Sequence, residues 1–301
     1  MTDRPAEIEQ PHGIPAVEDG TTLAFRYVLG ERIAVGDTAE IYKAREHQGS
    51  TQVIVKLVRP AQAGRDGGTF ALRLAEQAEN LRSLLHPGIV RLIADGWDEP
   101  LGARFLVLEH LAGETLETLL AKKHRLAMSP ALALADALCQ VIGFLHEHGL
   151  LQLDLYPASV VLTEADAPFP LKLADAGRYR PGEAPLVPVR PNGSAGYLAP
   201  ERLRGEPCDV RADVHAIGAV LYRMLGGHAP FRGSTTDEVL ESRKKGVAPL
   251  FAAGVSPADE ADRAVRKCLA DDPEKRFAAI AELRATLADL RAKLPDAARS
   301  G

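Results

Sequence analysis

Cysteine is scarce. Only Cys139, Cys208 and Cys268 occur, an odd set without metal-ligand spacing. That excludes a disulfide framework and a cysteine-based zinc module, and points to three reduced, buried thiols in an intracellular protein. Positive charge is not in excess either: the formal net charge is -5, which argues against a nucleic-acid surface. No apolar run reaches membrane length, and the N-terminal MTDRPAEIEQPHGIP has neither the basic start nor the apolar core of a signal peptide. A cytoplasmic protein without a membrane segment is therefore expected. Internal repeats and low-complexity tracts are also missing. The 301 residues suffice for one large domain or two medium lobes with a sizeable core.

What is present changes character along the chain. Residues 1–24, rich in Pro, Gly and acidic side chains, are expected to be a flexible leader. From Phe25, runs such as FRYVLGERIAV, AEIYKARE and TQVIVKLV read as strands, separated by turn signals at Gly36-Asp37 and Gln48-Gly49-Ser50. Gly64 to Gly68 reads as a flexible link, and a helix is expected from about Thr69 to Leu85, ended by His86-Pro87-Gly88. Two more strands fit 89–96 and 104–110. Residues 25–111 thus form a small, mainly antiparallel β lobe with one helix.

Residues 112–295 are mainly helical, and 296–301 are a tail. Leu132, Ala135, Leu138, Val141, Ile142 and Leu145 make an apolar stripe at helical spacing. The segment from Asp213 to Leu225 is apolar nearly all round, so it should be a buried central helix, stopped by Gly226-Gly227. Thr235 or Thr236 should cap a helix running through Lys245, whose Arg-Lys-Lys end at 243–245 reads as solvated. Further helices fit 259–269 and 279–294. The fold class is α+β, in two lobes.

Chemistry concentrates in Gly149 to Leu162, GLLQLDLYPASVVL. Asp154 stands on a tight loop between two short apolar runs, 150–153 and 160–162, each read as a strand. A carboxylate held so has the fixed aim a general base needs. Lys56 ends the run VIVK, and Asp175 precedes Ala176-Gly177, where glycine lets the backbone turn.

These stretches, taken in order, resemble the eukaryotic-type (Hanks-type) Ser/Thr protein kinase family over roughly Phe25 to Leu294. Ile33 to Tyr42, with Gly36, looks like the phosphate loop, Val53 to Lys56 like the strand carrying the phosphate-pairing lysine, and Asp154 like the catalytic-loop aspartate. Asp175-Ala176-Gly177 looks like the metal-binding motif, Gly193 to Glu201 like the end of the activation segment, and Asp272 to Arg276 like the late arginine motif. The resemblance implies a bilobal kinase fold with Asp154 and Lys56 as catalytic residues. It implies ATP contacts from Ile33, Gly36, Ile41, Ile54, Lys56, Val161 and a hinge at Glu109 to Leu111. Mg²⁺ or Mn²⁺ would be held by Asp175 and Ser159. It also implies a buried Glu201–Arg276 ion pair, and an Asp213 that holds the catalytic-loop backbone.

Departures from that pattern are many. Ala34 and Ala39 replace two loop glycines, and Ile54 stands where a smaller residue roofs the adenine; overpacking of that kind costs about 1–3 kcal/mol. Gln152 and Leu153 replace His-Arg, Tyr156 replaces a lysine, and Ser159 an asparagine. Losing one preorganised charge costs about 2.7–4 kcal/mol of transition-state stabilisation. Gln77 falls where the lysine-pairing glutamate belongs, while a one-residue slip would bring Glu76 or Glu79 to Lys56. Ala176 replaces an aromatic. Between Arg178 and Asn192 the only hydroxyl-bearing side chain is Tyr179, so switching by Ser/Thr phosphorylation there is not expected. These losses favour a pseudokinase, a signalling module that binds a protein partner and retains a nucleotide pocket. The alternative is a weakly active Ser/Thr kinase using Asp154, Lys56 and Asp175. A small-molecule phosphotransferase fits less well, because 193–201 resembles a protein-substrate platform. Ala- and Arg-rich composition points to a bacterial source.

Overall fold

The computed structural model describes residues 15–35, 39–61, 67–182, 194–233, 235–250 and 258–294. The chain divides into two compact units, Met1–Arg82 with Arg91–His110, and Ser83–Val90 with Leu111–Gly301.

The first unit is built on strands β1 (Thr22–Leu23), β2 (Tyr27–Val35), β3 (Glu40–Glu46), β4 (Gln52–Val58), β5 (Leu92–Asp98) and β6 (Ala103–Glu109), with one helix, α1 (Gly67–Ser83). The strands form one antiparallel sheet in the order β1-β2-β3-β4-β6-β5. Alternation in β4 decides its two faces. Val53, Val55 and Leu57 enter a core with Tyr42, Ala44, Phe105 and Val107. Ile54 and Lys56 point the other way, with Lys56 opposite Ile41 on β3 and Leu106 on β6.

The segment before Phe25 is not a loose leader from residue 15 onward. Thr22 and Leu23 pair with β2, and Leu23 is fully buried. The Val17 amide donates to Tyr42 Oη (2.9 Å), and that hydroxyl donates to Glu40 Oε2 (2.6 Å). Arg59 holds both oxygens of the buried Glu40 carboxylate at 2.7–2.8 Å and donates to the Pro15 carbonyl at 2.6 Å. A buried charge pair persists only when its hydrogen bonds are completed in this way. The phosphate-loop position Gly36 and residues 64–66 of the expected link lie outside the described residues; Gly67 already belongs to α1.

The second unit contains α2 (Leu116–Lys123), α3 (Met128–Glu147), the β7 (Val160–Leu162) and β8 (Leu171–Leu173) hairpin, α4 (Pro200–Leu203), α5 (Val210–Gly226), α6 (Thr236–Lys244), α7 (Ala258–Cys268) and α8 (Ile280–Ala292). The apolar stripe of α3 is buried and packs on α5 and α8. With 20 mostly apolar residues, α3 also has the length and composition of a membrane-crossing helix; here its stripe is buried in the core. Buried side chains run without a break from Ala212 to Leu225 on α5. Asp209 caps its first turn by accepting from Arg211 N at 2.8 Å. Gly227 ends it at φ 81, a left-handed conformation that glycine reaches without a Cβ penalty. The three cysteines are free and buried, and burial pushes the Cys208 and Cys268 thiols up to about 12.

Two local expectations fail. Leu150 to Leu153 is not a strand; only Leu151 makes a single antiparallel bridge, to Tyr179. Arg243 is not part of a solvated helix end. It is buried over the Phe231 ring (3.9 Å), donates to the Leu198 carbonyl, and meets His215 Nε2 at 3.1 Å and Asp271 at 3.4 Å. Lys244 and Lys245 do remain exposed.

Candidate functional site

In the first unit the phosphate-pairing candidate, Lys56, is buried and its Nζ donates to Gln77 Oε1 at 3.1 Å. The helix register therefore puts Gln77 on the lysine. Glu76 and Glu79 lie on the exposed side, paired with Arg73 and Arg82. A neutral amide can orient the ammonium but brings no charge to it, and hydrogen bonds with an ionised acceptor are roughly twice as strong. Ile41 and Ile54 share the Lys56 face, half-buried, while Ile33 on β2 is exposed. Glu109 ends β6, accepting from the Arg91 amide at 2.9 Å through Oε1.

In the second unit, Leu111 is half-buried and Val161 is buried on β7, opposite Lys172. The catalytic-loop backbone is anchored from below by Asp213, which is wholly buried. Its carboxylate accepts from the amides of Gln152 (2.9 Å) and Leu153 (2.7 Å) and meets His146 Nε2 at 2.8 Å. That grip holds Leu153 at φ 53, a conformation costing a non-glycine residue about 1–3 kcal/mol. The strain fixes the direction in which the next residue, Asp154, leaves the backbone. Gln152 ties the loop to the metal-binding motif, donating through Nε2 to the Asp175 carbonyl at 2.8 Å. Gly177, at φ 76, makes the turn after Asp175.

The Asp154 carboxylate is occupied by the chain's own donors. Tyr179 Oη donates to Oδ2 at 2.6 Å, Arg178 Nη1 reaches the same oxygen at 3.2 Å, and Arg202 Nη2 donates to Oδ1 at 3.0 Å. Burial raises the Tyr179 hydroxyl's pKa, with Arg178 opposing and Asp154 adding to the shift, so it stays a donor. Arg178 also contacts Asp175 Oδ2 at 3.3 Å, so one guanidinium spans both carboxylates.

A divalent ion of the Mg²⁺ or Mn²⁺ kind needs hard oxygen ligands. The half-exposed Asp175 carboxylate is a hard oxygen ligand of the right kind. Ser159 is a poor second. Its hydroxyl donates to the Tyr156 carbonyl at 2.8 Å and accepts from the Tyr156 amide at 3.2 Å, closing a capping box around the 3₁₀ turn 157–159. The residues fit one ion at Asp175, with Arg178 already in contact with that carboxylate.

Arg178, Tyr179 and Arg202 were not anticipated as site residues. Their signal was nevertheless in the sequence: a basic residue and a tyrosine directly after Asp175-Ala176-Gly177, and an arginine directly after Glu201. The expected Glu201–Arg276 pair is present, bidentate and buried at 2.6 and 2.8 Å.

Comparison with known proteins identifies the family and the fold. Residues 27–286 match the protein kinase domain, and the chain belongs to that family. It is similar to the serine/threonine-protein kinase PknB of Mycolicibacterium smegmatis, 35 % identical over 274 residues, covering 88 % of this chain and 43 % of that protein. PknB of Mycobacterium tuberculosis is 32 % identical over 272 residues, with the same coverage. The chain therefore spans less than half the length of these bacterial relatives. Its fold is that of a kinase domain. The crystal structure of the PknI kinase domain from Mycobacterium tuberculosis has a TM-score of 0.67 and 24 % identity, covering 92 % of this chain and 99 % of that one.

Proposed function

We propose that the chain is an ATP-dependent Ser/Thr protein kinase domain of low catalytic power. One observation carries this reading: a hydroxyl already lies on Asp154 Oδ2 at 2.6 Å, in the relation a general base needs to an attacking alcohol. A substrate Ser or Thr hydroxyl in that relation would pass its proton to Asp154 as its oxygen bonds the γ-phosphorus and the bond to ADP breaks. Lys56 would pair the ATP phosphates, and the half-buried apolar face at Ile41 and Ile54 suits a purine. A Mg²⁺ or Mn²⁺ ion, when bound, would neutralise phosphate oxygens, and Asp175 is the residue to hold it. The likeness to PknB supports a Ser/Thr substrate, and a cytoplasmic placement is part of the proposal.

A non-transferring binding module is the second reading, favoured by Gln77 in place of a carboxylate at Lys56. Labelled ATP with the purified chain and a protein substrate mixture separates the two. Transfer that is lost in Asp154→Asn supports the kinase. A thermal shift with ATP but no transfer to any protein would overturn it in favour of the binding module.

A further inference from the structure

We infer that Arg178 is a tethered cation occupying the place of the divalent ion, so that metal enters only when this side chain leaves. The inference rests on Asp175 being the metal-holding residue of the proposed function, and deepens it. The geometry is specific. Arg178 Nη1 lies 3.2 Å from Asp154 Oδ2 and 3.3 Å from Asp175 Oδ2, bridging the two carboxylates with one positive group. Arg202 Nη2 holds the remaining Asp154 oxygen at 3.0 Å. A guanidinium in contact with both carboxylates repels a dication brought to Asp175, so the ion gains that carboxylate by displacing Arg178. The arginine is itself kept in position. Its guanidinium lies 5.1 Å from the centroid of the Tyr179 ring, and the backbone behind that ring is bridged to Leu151, with Leu151 N donating to Tyr179 O at 2.9 Å.

The exchange is possible because the bridge is not sealed. Arg178, Asp154 and Asp175 side chains remain 22 %, 23 % and 32 % exposed, so water and ions reach them. Both contacts are also longer than the 2.7–2.9 Å typical of charge-assisted hydrogen bonds. Divalent ion and arginine therefore compete for the Asp175 carboxylate. A further consequence is that nucleotide binding by this domain should depend less on divalent ion than its phosphotransfer does, because Arg178 can face a phosphate once it leaves Asp175.

The test needs no catalysis. Mn²⁺ is titrated into the purified full chain without nucleotide, and free ion is counted by electron paramagnetic resonance. Arg178→Gln is expected to bind Mn²⁺ about tenfold more tightly than the unaltered chain. Arg178→Lys, which keeps the charge, should stay close to the unaltered chain, and adding Asp175→Asn to Arg178→Gln should abolish the gain. Equal Mn²⁺ affinity in the unaltered chain and Arg178→Gln, with both melting cooperatively, overturns the inference. Tighter Mn²⁺ binding without phosphate transfer in any variant leaves it standing and removes the kinase reading alone.

Discussion

Two carboxylate–arginine assemblies in the second unit use the same chemistry to opposite ends. Arg276 grips Glu201 with two parallel bonds of 2.6 and 2.8 Å, and its remaining donors go to the carbonyls of Ala270, Asp271 and Arg211. Its side chain is wholly buried. Arg178 meets Asp154 and Asp175 through Nη1 at 3.2 and 3.3 Å, with all three side chains partly exposed. The first assembly is desolvated, bidentate and complete, so it is permanent. The second is stretched and partly exposed, so it exchanges. The same carboxylate–guanidinium pairing gives a rivet in one place and a latch in the other, and burial makes the difference.

The comparison can be broken from the rivet side first. Arg276→Ala should lose about 3–5 kcal/mol of unfolding free energy, read from urea melts, because Glu201 is left charged and buried. A loss near 1 kcal/mol would mean the pair is no more than a surface bridge. Next comes Tyr179→Phe. A hydrogen bond to a charged group contributes about 1.5–3 kcal/mol, and this one competes with the substrate hydroxyl for Asp154. Phosphate transfer should therefore rise about tenfold; an unchanged or lower rate would show that Tyr179 positions Asp154 instead of blocking it. Gln77→Glu gives Lys56 an ionised partner and should raise transfer severalfold with little change in melting temperature, which paired kinetics and calorimetry would check.

A smaller effect concerns pH. Burial, with Arg243 and Arg276 adding to it, holds the His215 pKa well below its usual value. In the unfolded chain that histidine gains a proton as pH falls below about 6.5, while the folded chain does not. Its contribution therefore destabilises the fold progressively below that pH and vanishes above it. The urea midpoint should fall more between pH 7.5 and 5 in the unaltered chain than in His215→Asn. The smallest expected change is Arg178→Ala, within about 1 kcal/mol of the unaltered stability; a larger loss would make the latch a second rivet.

Much of this architecture was legible because it is written in periodicity. The run TQVIVKLV was legible as β4, and the unbroken apolar run before Gly226-Gly227 marked α5 to within a turn. Motif order was enough to place Asp154, Asp175, Asp213 and the Glu201–Arg276 pair. Arg243 was illegible for a physical reason: in an Arg-Lys-Lys run at a helix end, only the tertiary fold decides which cation turns inward. Here the Phe231 face and the Leu198 carbonyl select Arg243. Arg178, Tyr179 and Arg202 stand beside recognisable motifs, but their convergence on Asp154 from two separate stretches is tertiary and local pattern does not encode it. Between Gln77, Glu76 and Glu79, helix register alone was ambiguous by one or two residues, and the Lys56 contact resolved it.

The network at the start of the first unit has a mechanical consequence. Pro15 and Val17 are bonded to Arg59 and Tyr42, and both of those hold Glu40, the residue that opens β3. A pull applied at Pro15 itself runs through two short hydrogen-bonded links into the strand on which Ile41 faces Lys56, so tension at that residue loads the lysine's own sheet.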